Sequence, residues 1–261
     1  MTDRSLAPLP SRQDEVLRIV LERGRVSVDE LADGLGASRE TIRRDLKALS
    51  ASGAIRKFHG GAMAPEPEVE GSFRSRMGQS VASKRRIAHA ARQLFAPGDT
   101  LFIDTGSTTL LFAEALQQVP GLSVVTNSAA IAQVLSRPGT GTRTFLLGGE
   151  YVNDNQQTVG PLAIAQIGTF HMRHAVLTVA AVGLDGAIMD FSFEEAQVAR
   201  AMIAQASTVT VLADSTKIGL RAPYEVCRLP EVDRLVTEGE LPPELSGMAA
   251  SAGVEIIVSQ S

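Results

Sequence analysis

Residues Asp104-Thr-Gly-Ser-Thr-Thr109 set three consecutive hydroxyls behind a glycine, directly after the apolar run Leu101-Phe-Ile103. A strand that feeds such a turn and then a helix aims unpaired backbone N–H groups, hydroxyls and the positive end of a helix dipole at one point. Phosphate is the natural guest. Lys217, in Asp214-Ser-Thr-Lys217, is the available countercharge. Asp104, Asn127, Asp185 and Glu195 are poor phosphate ligands but good partners for sugar hydroxyls. The implied ligand is therefore a small phosphorylated sugar or polyol, held by Asp104, Thr105, Gly106, Ser107, Thr108, Thr109, Thr126, Asn127, Asp185, Glu195 and Lys217. Local alternatives stand beside these roles: Asp104 could brace its turn, Asn127 could cap the helix it precedes, and Lys217 could be a surface lysine.

Other chemistries have weaker support. The single cysteine, Cys227, excludes an intramolecular disulfide and sits in the alternating run Tyr224-Glu-Val-Cys-Arg-Leu229, which reads as a buried strand rather than a nucleophile. His171-Met-Arg-His174 has a ligand-like spacing with no further Cys or His nearby, and Gly139-Thr-Gly-Thr142 lacks the lysine of a phosphate-binding P-loop. No metal, cofactor or catalytic residue is expected.

The elements that must position the hydroxyl turn follow from pattern. Short apolar runs at 100–104, 122–126, 144–147, 175–180, 209–214, 234–237 and 254–258 alternate with helical segments, the layout of a mostly parallel sheet covered by helices. Ligands of such sheets gather at the carboxyl ends of strands. Polar clusters stand there: Asp104 to Thr109, Thr126-Asn-Ser128, Gly148-Gly-Glu150, Gly183-Leu-Asp-Gly186 and Asp214 to Lys217.

Charge divides the chain in two. Residues 38–57 hold six basic against two acidic residues, whereas 64–261 hold fourteen basic and twenty acidic, within a total of −4. That split predicts a small polyanion-binding module attached to a body with another task. In the first sixty residues, Ser11 opens one helix and Gly24 closes it. Ser27, at capping-box distance from Glu30, opens a second that Gly34 and Gly36 break. A third starts at Ser38, with Ile42, Leu46 and Leu49 inward and Arg39, Thr41, Arg43, Arg44 and Lys47 outward or flanking. Ile55 then anchors a strand and Gly60-Gly61 turn a hairpin, which makes a winged helix-turn-helix. Arg39 and Thr41 are placed for base edges. Arg44, Lys47, Arg56 and Lys57 suit phosphates, and Arg56, Lys57 and His59 lie along the backbone or reach a minor groove. Asp45 is expected to orient an arginine. Pro- and Glu-rich 64–72 reads as an extended connector, giving a DNA-binding domain at 1–63 and a ligand-binding domain at 73–261. The cluster Lys84-Arg-Arg86 is open between touching DNA or ligand and a solvated helix start or oligomer contact.

Ser38-Arg-Glu-Thr-Ile-Arg-Arg-Asp-Leu46 with Arg56-Lys-Phe-His-Gly-Gly-Ala62 resembles the signature of the DeoR family of bacterial transcriptional regulators. The likeness continues through Phe102-Ile-Asp-Thr-Gly-Ser-Thr-Thr109, Thr126-Asn-Ser128, Glu194 to Ile203 and Ala213-Asp-Ser-Thr-Lys-Ile-Gly219, so it covers nearly the whole chain from about residue 11. It implies operator binding, usually as a repressor of a carbon-utilisation operon, with Ser38, Arg39, Thr41, Arg43 and Arg44 at the DNA. It also implies a sensor domain similar in fold to ribose-5-phosphate isomerase. Two departures bear on the effector: Met189-Asp-Phe-Ser-Phe193 replaces a Gly-Leu-Thr-Thr-Pro-Asn stretch common in members, and Ala199 stands where a lysine is common.

Two functions compete. One is a regulator that binds double-stranded operator DNA as a homo-oligomer and answers to a sugar phosphate. The other is a sugar-phosphate isomerase with an accessory DNA-binding module, its base supplied by Asp104, Asp185 or Glu195. The regulator uses both halves of the chain. No run approaches the ~18–20 apolar residues of a membrane span, and the start lacks a signal-peptide core, so a cytoplasmic protein without membrane contact is expected.

Overall fold

A computed structural model describes residues 12–23, 25–51, 55–58, 60–63 and 72–259. Expectations placed on Ser11, Gly24, His59 and the connector at 64–71 fall outside those residues. The chain divides into two compact units, Met1–Glu68 and Val69–Ser261.

In the first unit, helices α1 (Arg12–Arg23), α2 (Val28–Leu35) and α3 (Arg39–Ala51) are joined by strands β1 (Arg25–Ser27), β2 (Arg56–Phe58) and β3 (Gly61–Met63). The capping box forms: Glu30 N–H donates to Ser27 Oγ at 3.1 Å and Ser27 N–H to the Glu30 carboxylate at 2.7 Å. Helix α2 runs through Gly34 and ends where Gly36 turns left-handed at φ 60°, so the second glycine alone is the break. Val16, Val20, Leu31, Ile42 and Leu46 form the core, each no more than 1% exposed. The wing is a three-stranded antiparallel sheet, β1-β3-β2, with Gly60 at its turn. A Cβ at Gly61 would lie 2.4 Å from the Val26 carbonyl, so β3 can approach β1 only with glycine there.

Asp45 orients an arginine, but from α1 rather than from its own helix. Its buried carboxylate accepts from Arg12 Nε at 2.6 Å and Nη2 at 3.2 Å, and from Gln13 at 3.3 Å. The hydrogen bond from Arg12 holds the Asp45 carboxyl below its usual range. Such a group adds stability above the ordinary carboxylate pKa and loses it as pH falls through the depressed value. Asp45→Ala should destabilise this unit by about 1–3 kcal/mol at neutral pH, with the gap to wild type narrowing in acid. Urea melts at several pH values check this, and a gap that stays constant would contradict it.

The second unit begins with α4 (Phe73–Gly78), α5 (Val81–Arg92), β4 (Thr100–Ile103), α6 (Ser107–Leu116), β5 (Ser123–Thr126), α7 (Ala129–Leu135) and β6 (Arg143–Leu146). It continues with β7 (Glu150–Val152), β8 (Gln157–Val159), α8 (Pro161–Ile167), β9 (Met172–Thr178), β10 (Ala181–Val182), β11 (Ala187–Asp190) and α9 (Phe193–Ala204). It closes with β12 (Ala206–Leu212), β13 (Tyr224–Arg228), β14 (Arg234–Thr237), α10 (Pro243–Ala252) and β15 (Glu255–Val258). All seven expected runs are strands of one parallel sheet, in the order β15-β14-β12-β9-β4-β5-β6.

Alternation along the strands splits the core. Phe102, Ala175, Leu177 and Val211 face α8, α9 and α10, whereas Leu101, Ile103, Val176 and Leu212 face α5, α6 and α7. The chain steps outward from β4 to β5 and β6, then returns to the other side of β4 with β9. Connections diverge between β4 and β9, and that divergence opens the crevice where ligands of such sheets bind. A β7–β8 hairpin and a small antiparallel sheet, β10-β11-β13, are added around it. Cys227 lies in β13, 3% exposed, and burial pushes its thiol up to about 12, the state of an inert structural cysteine. Among the described residues no helix is long and apolar enough to cross a membrane.

Candidate ligand cradle and nucleic-acid interface

The hydroxyl turn occupies the crevice. Asp104 and Thr105 follow β4, Gly106 precedes the first turn of α6, and Ser107, Thr108 and Thr109 form it, each between 0 and 5% exposed. Leu110 N–H reaches back to Gly106 O at 2.9 Å, the first backbone bond of the helix, so the N–H groups of Ser107 to Thr109 precede the ladder. Across the switch, both Asp104 carboxylate oxygens accept from Thr178 N–H at 3.1 Å, at the end of β9. The Thr178 hydroxyl donates to Leu212 O of β12 at 3.3 Å. Asp104 thus braces the junction of β4 and β9. Contact is so close that a Cβ on Gly106 would fall 2.0 Å from Thr178 Cγ2.

Burial raises the Asp104 carboxyl well above its ordinary pKa against the pull of the Thr178 amide, and the charges of Asp190 and Glu195 push it further. An acid of this kind contributes stability below its unfolded pKa and loses it as pH rises through the raised value. Asp104→Asn keeps an oxygen for Thr178 and removes the buried charge. It should raise the melting temperature by roughly 2–4 °C, about 1 kcal/mol, at alkaline pH, with the difference closing in acid. A variant that melts below wild type throughout would contradict this.

Around the cradle runs a polar network. Glu195 Oε1 accepts from Asn155 Nδ2 at 2.5 Å and from Gln157 Nε2 at 2.7 Å. Asn127 Nδ2 donates to Gln157 Oε1 and to Thr158 O, both at 3.2 Å. Buried Arg76 donates to Asn155 Oδ1 at 2.7 Å, and buried Lys84 to Arg76 O at 2.7 Å. Ser128 rather than Asn127 caps α7, accepting from Ile131 N–H, and Thr126 Oγ1 accepts from Ser128 N–H. Two buried atoms here, Thr105 Oγ1 and Asn127 Oδ1, have no hydrogen-bond partner among the described residues, and an unpaired buried polar atom costs about 1–3 kcal/mol. Both are acceptor oxygens suited to a ligand hydroxyl.

The predicted residues therefore separate. Asp104 to Thr109, Thr126, Asn127 and Glu195 belong to one constellation. Lys217 lies half-buried in the 3-10 turn Ser215–Lys217, after β12 and its neighbour Asp214. Asp185 sits elsewhere: Gly183 to Gly186 turn the β10–β11 hairpin, where Asp185 is exposed, pairs with Arg221 at 3.0 Å and borders a cavity with Leu229 and Met248. Arg76, Asn155, Gln157, Thr178 and Asp190 were not read from sequence. Thr178 contributes mainly an amide and a methyl group, and Asn155 and Gln157 stand in a hairpin too short to show a period, so nothing in composition marks them.

In the first unit, the outer face of α3 carries Arg39, Arg43, Arg44 and Lys47, all exposed, opposite the stripe of Ile42, Asp45 and Leu46. Arg39 pairs with Asp29 of α2 at 2.6 Å, and Arg43 stands 3.8 Å from Glu40. Ser38 Oγ accepts from Thr41 N–H at 3.2 Å and bonds the Thr41 hydroxyl at 2.8 Å, so this pair caps the helix. Lys57 is exposed on β2, to which Arg56 also belongs, and His59 lies outside the described residues.

Residues 12–68 match the DeoR-like helix-turn-helix domain, and 79–239 match the DeoR C-terminal sensor domain. The chain is 34% identical to the HTH-type transcriptional repressor CsqR of Escherichia coli K12, over 95% of each chain. It is 30% identical to the glycerol-3-phosphate regulon repressor of the same strain, over 91% of this chain and 93% of that one. Among solved structures, ribose 5-phosphate isomerase A from Neisseria gonorrhoeae aligns over 53% of each chain, with 16% identity and a TM-score of 0.39.

Proposed function

The chain belongs to the DeoR family of transcriptional regulators, and on that premise we propose that it represses a carbohydrate or polyol utilisation operon under control of a phosphorylated sugar or polyol. One observation carries the effector class: a buried, hydroxyl-lined helix N-terminus at the sheet's switch point, flanked by the amide and carboxylate network of Asn127, Gln157 and Glu195. The phosphate sits on the N–H groups and hydroxyls of Ser107, Thr108 and Thr109, with Lys217 as countercharge. Hydroxyls of the carbon chain face Thr105, Asn127, Glu195 and Asp104. A relative named for the glycerol-3-phosphate regulon supports a phosphorylated guest.

DNA is read by α3, with Arg39 and Thr41 at base edges and Arg43, Arg44 and Lys47 on phosphates, while Arg56, Lys57 and His59 of the wing follow the backbone. In this assignment 1–63 bind DNA, 64–72 connect and 73–261 sense. The protein acts in the cytoplasm as a homo-oligomer whose paired recognition helices match paired half-sites. The effector works by favouring one arrangement of the subunits. A thermal-shift screen of pentose, hexose and polyol phosphates tests the effector class, because stabilisation grows with ligand over Kd. Wild type should gain stability with at least one of them and the Lys217→Ala variant should not.

A further inference from the structure

A second cationic hollow lies apart from the cradle residues, on the edge of the same unit. Arg85, Arg86 and His89 of α5 and Gln93, which follows it, border a cavity of about 530 Å³ with Val258 and Ser259, at the carboxyl end of edge strand β15. Lys84, their neighbour, is buried with Ile87, Ala88 and Ala91 on the inner face of α5 and donates to Arg76 O. The basic triplet read from sequence is thus divided, with one cation structural and two left at the hollow. Among the described residues no carboxylate pairs with Arg85, Arg86 or His89. Ser259 is only 9% exposed, its N–H donates to Thr237 O at 2.8 Å, and among the described residues its hydroxyl has no hydrogen-bond partner. Guanidinium groups that border one hollow without a paired carboxylate, with a buried hydroxyl unsatisfied beside them, favour an oxyanion that supplies acceptors to both. The volume is that of a small-molecule site rather than of a bare phosphate ion.

We propose that this hollow is a second anion site, binding the phosphate of a small phosphorylated metabolite through Arg85, Arg86, His89 and Ser259. Val258 and Ala90 supply an apolar wall for the carbon body. Helix α5 links it to the cradle from two directions. Ser83 stands beside Glu238, whose carboxylate accepts from Ser215 N–H at 3.0 Å and Oγ at 2.7 Å in the turn that carries Lys217. Lys84 holds Arg76, the partner of Asn155. The communication part of the proposal rests on the cradle being the effector site; the binding part does not.

Four histidines make the imidazole signals of the intact protein separable by NMR. Titration with glucose 6-phosphate, and separately with inorganic phosphate, should shift the His89 ring in wild type and in Gly106→Ala, whose lesion is in the cradle. In Arg85→Gln/Arg86→Gln the midpoint should rise about tenfold or more, the loss of one to two charge-assisted contacts. No His89 shift, an unchanged midpoint in the double variant, or a shift lost in Gly106→Ala overturns the second site. Weakened operator binding by the double variant without any phosphate also overturns it, by assigning the cluster to DNA. If Lys217→Ala leaves thermal shifts unchanged while His89 still responds, the cradle reading falls and the second site stands.

Discussion

Arg43→Ala combined with Arg44→Ala is expected to abolish operator binding, by on the order of 10²–10⁴-fold, since each phosphate or base contact contributes roughly 1–3 kcal/mol. Both side chains project from the outer face of α3, away from Ile42 and Leu46, so their removal leaves the core intact. Among the described residues Arg43 has only a distant, exposed partner in Glu40, worth little to stability. The melting profile should therefore be unchanged while the salt dependence of residual DNA binding flattens, fewer counterions being released. Effector-induced thermal shifts should persist. A double variant that still binds its operator tightly would move the DNA-reading surface off α3.

Gly106→Ala should have the larger effect on the sensor. Its φ of 178° is extended backbone that any residue adopts, so the constraint is not conformational. It is space: the new methyl would lie 2.0 Å from Thr178 Cγ2 and 3.1 Å from Thr109 Oγ1. To admit it, the first turn of α6 must move off β9, displacing the hydroxyls of Ser107 to Thr109 and loosening the Asp104 bonds to Thr178 N–H. Overpacking of this kind costs about 1–3 kcal/mol, and loss of the aligned donors should weaken the effector at least ~10²-fold, as removal of several charge-assisted bonds does. Thr178→Ser deletes the clashing methyl and keeps the hydroxyl on Leu212 O. The pair Gly106→Ala/Thr178→Ser should regain part of both stability and response. If Gly106→Ala alone responds to effector like wild type, the cradle is misassigned.

Much of the architecture was legible because its signals were local and periodic. The Ser27–Glu30 box, the Ile42, Leu46 and Leu49 stripe, and seven apolar runs each carry their own pattern. The hydroxyl turn was legible for the same reason, since its parts are contiguous. What escaped was assembled across the chain. Nothing in the sequence near Asp45 names Arg12 as its partner, and nothing near Glu195 names Asn155 or Gln157, some forty residues earlier. In sequence the loop of Asp185 reads as the end of the fourth strand, which would put it with the cradle. That strand stops at Thr178, and the extra hairpin β10–β11 carries Asp185 to the other end of its own small sheet. Gly34 reads as a helix breaker from type alone, yet an exposed glycine costs α2 only about 1 kcal/mol against alanine, and the capping box and buried Leu31 hold the helix.

The central claim is that one chain couples a phosphorylated ligand in the cradle to DNA held by α3. It is tested most directly by fluorescence anisotropy of a duplex selected from genomic DNA by the protein itself, titrated with wild type and with Lys217→Ala, each with and without the sugar or polyol phosphate found in the thermal screen. Wild type should change its operator affinity by about 5–150-fold with the ligand, the usual range of allosteric coupling, without consuming it, and Lys217→Ala should bind DNA equally with or without it. Multiple turnover of the sugar phosphate, or an operator affinity indifferent to every phosphorylated ligand that binds the protein, would contradict the account.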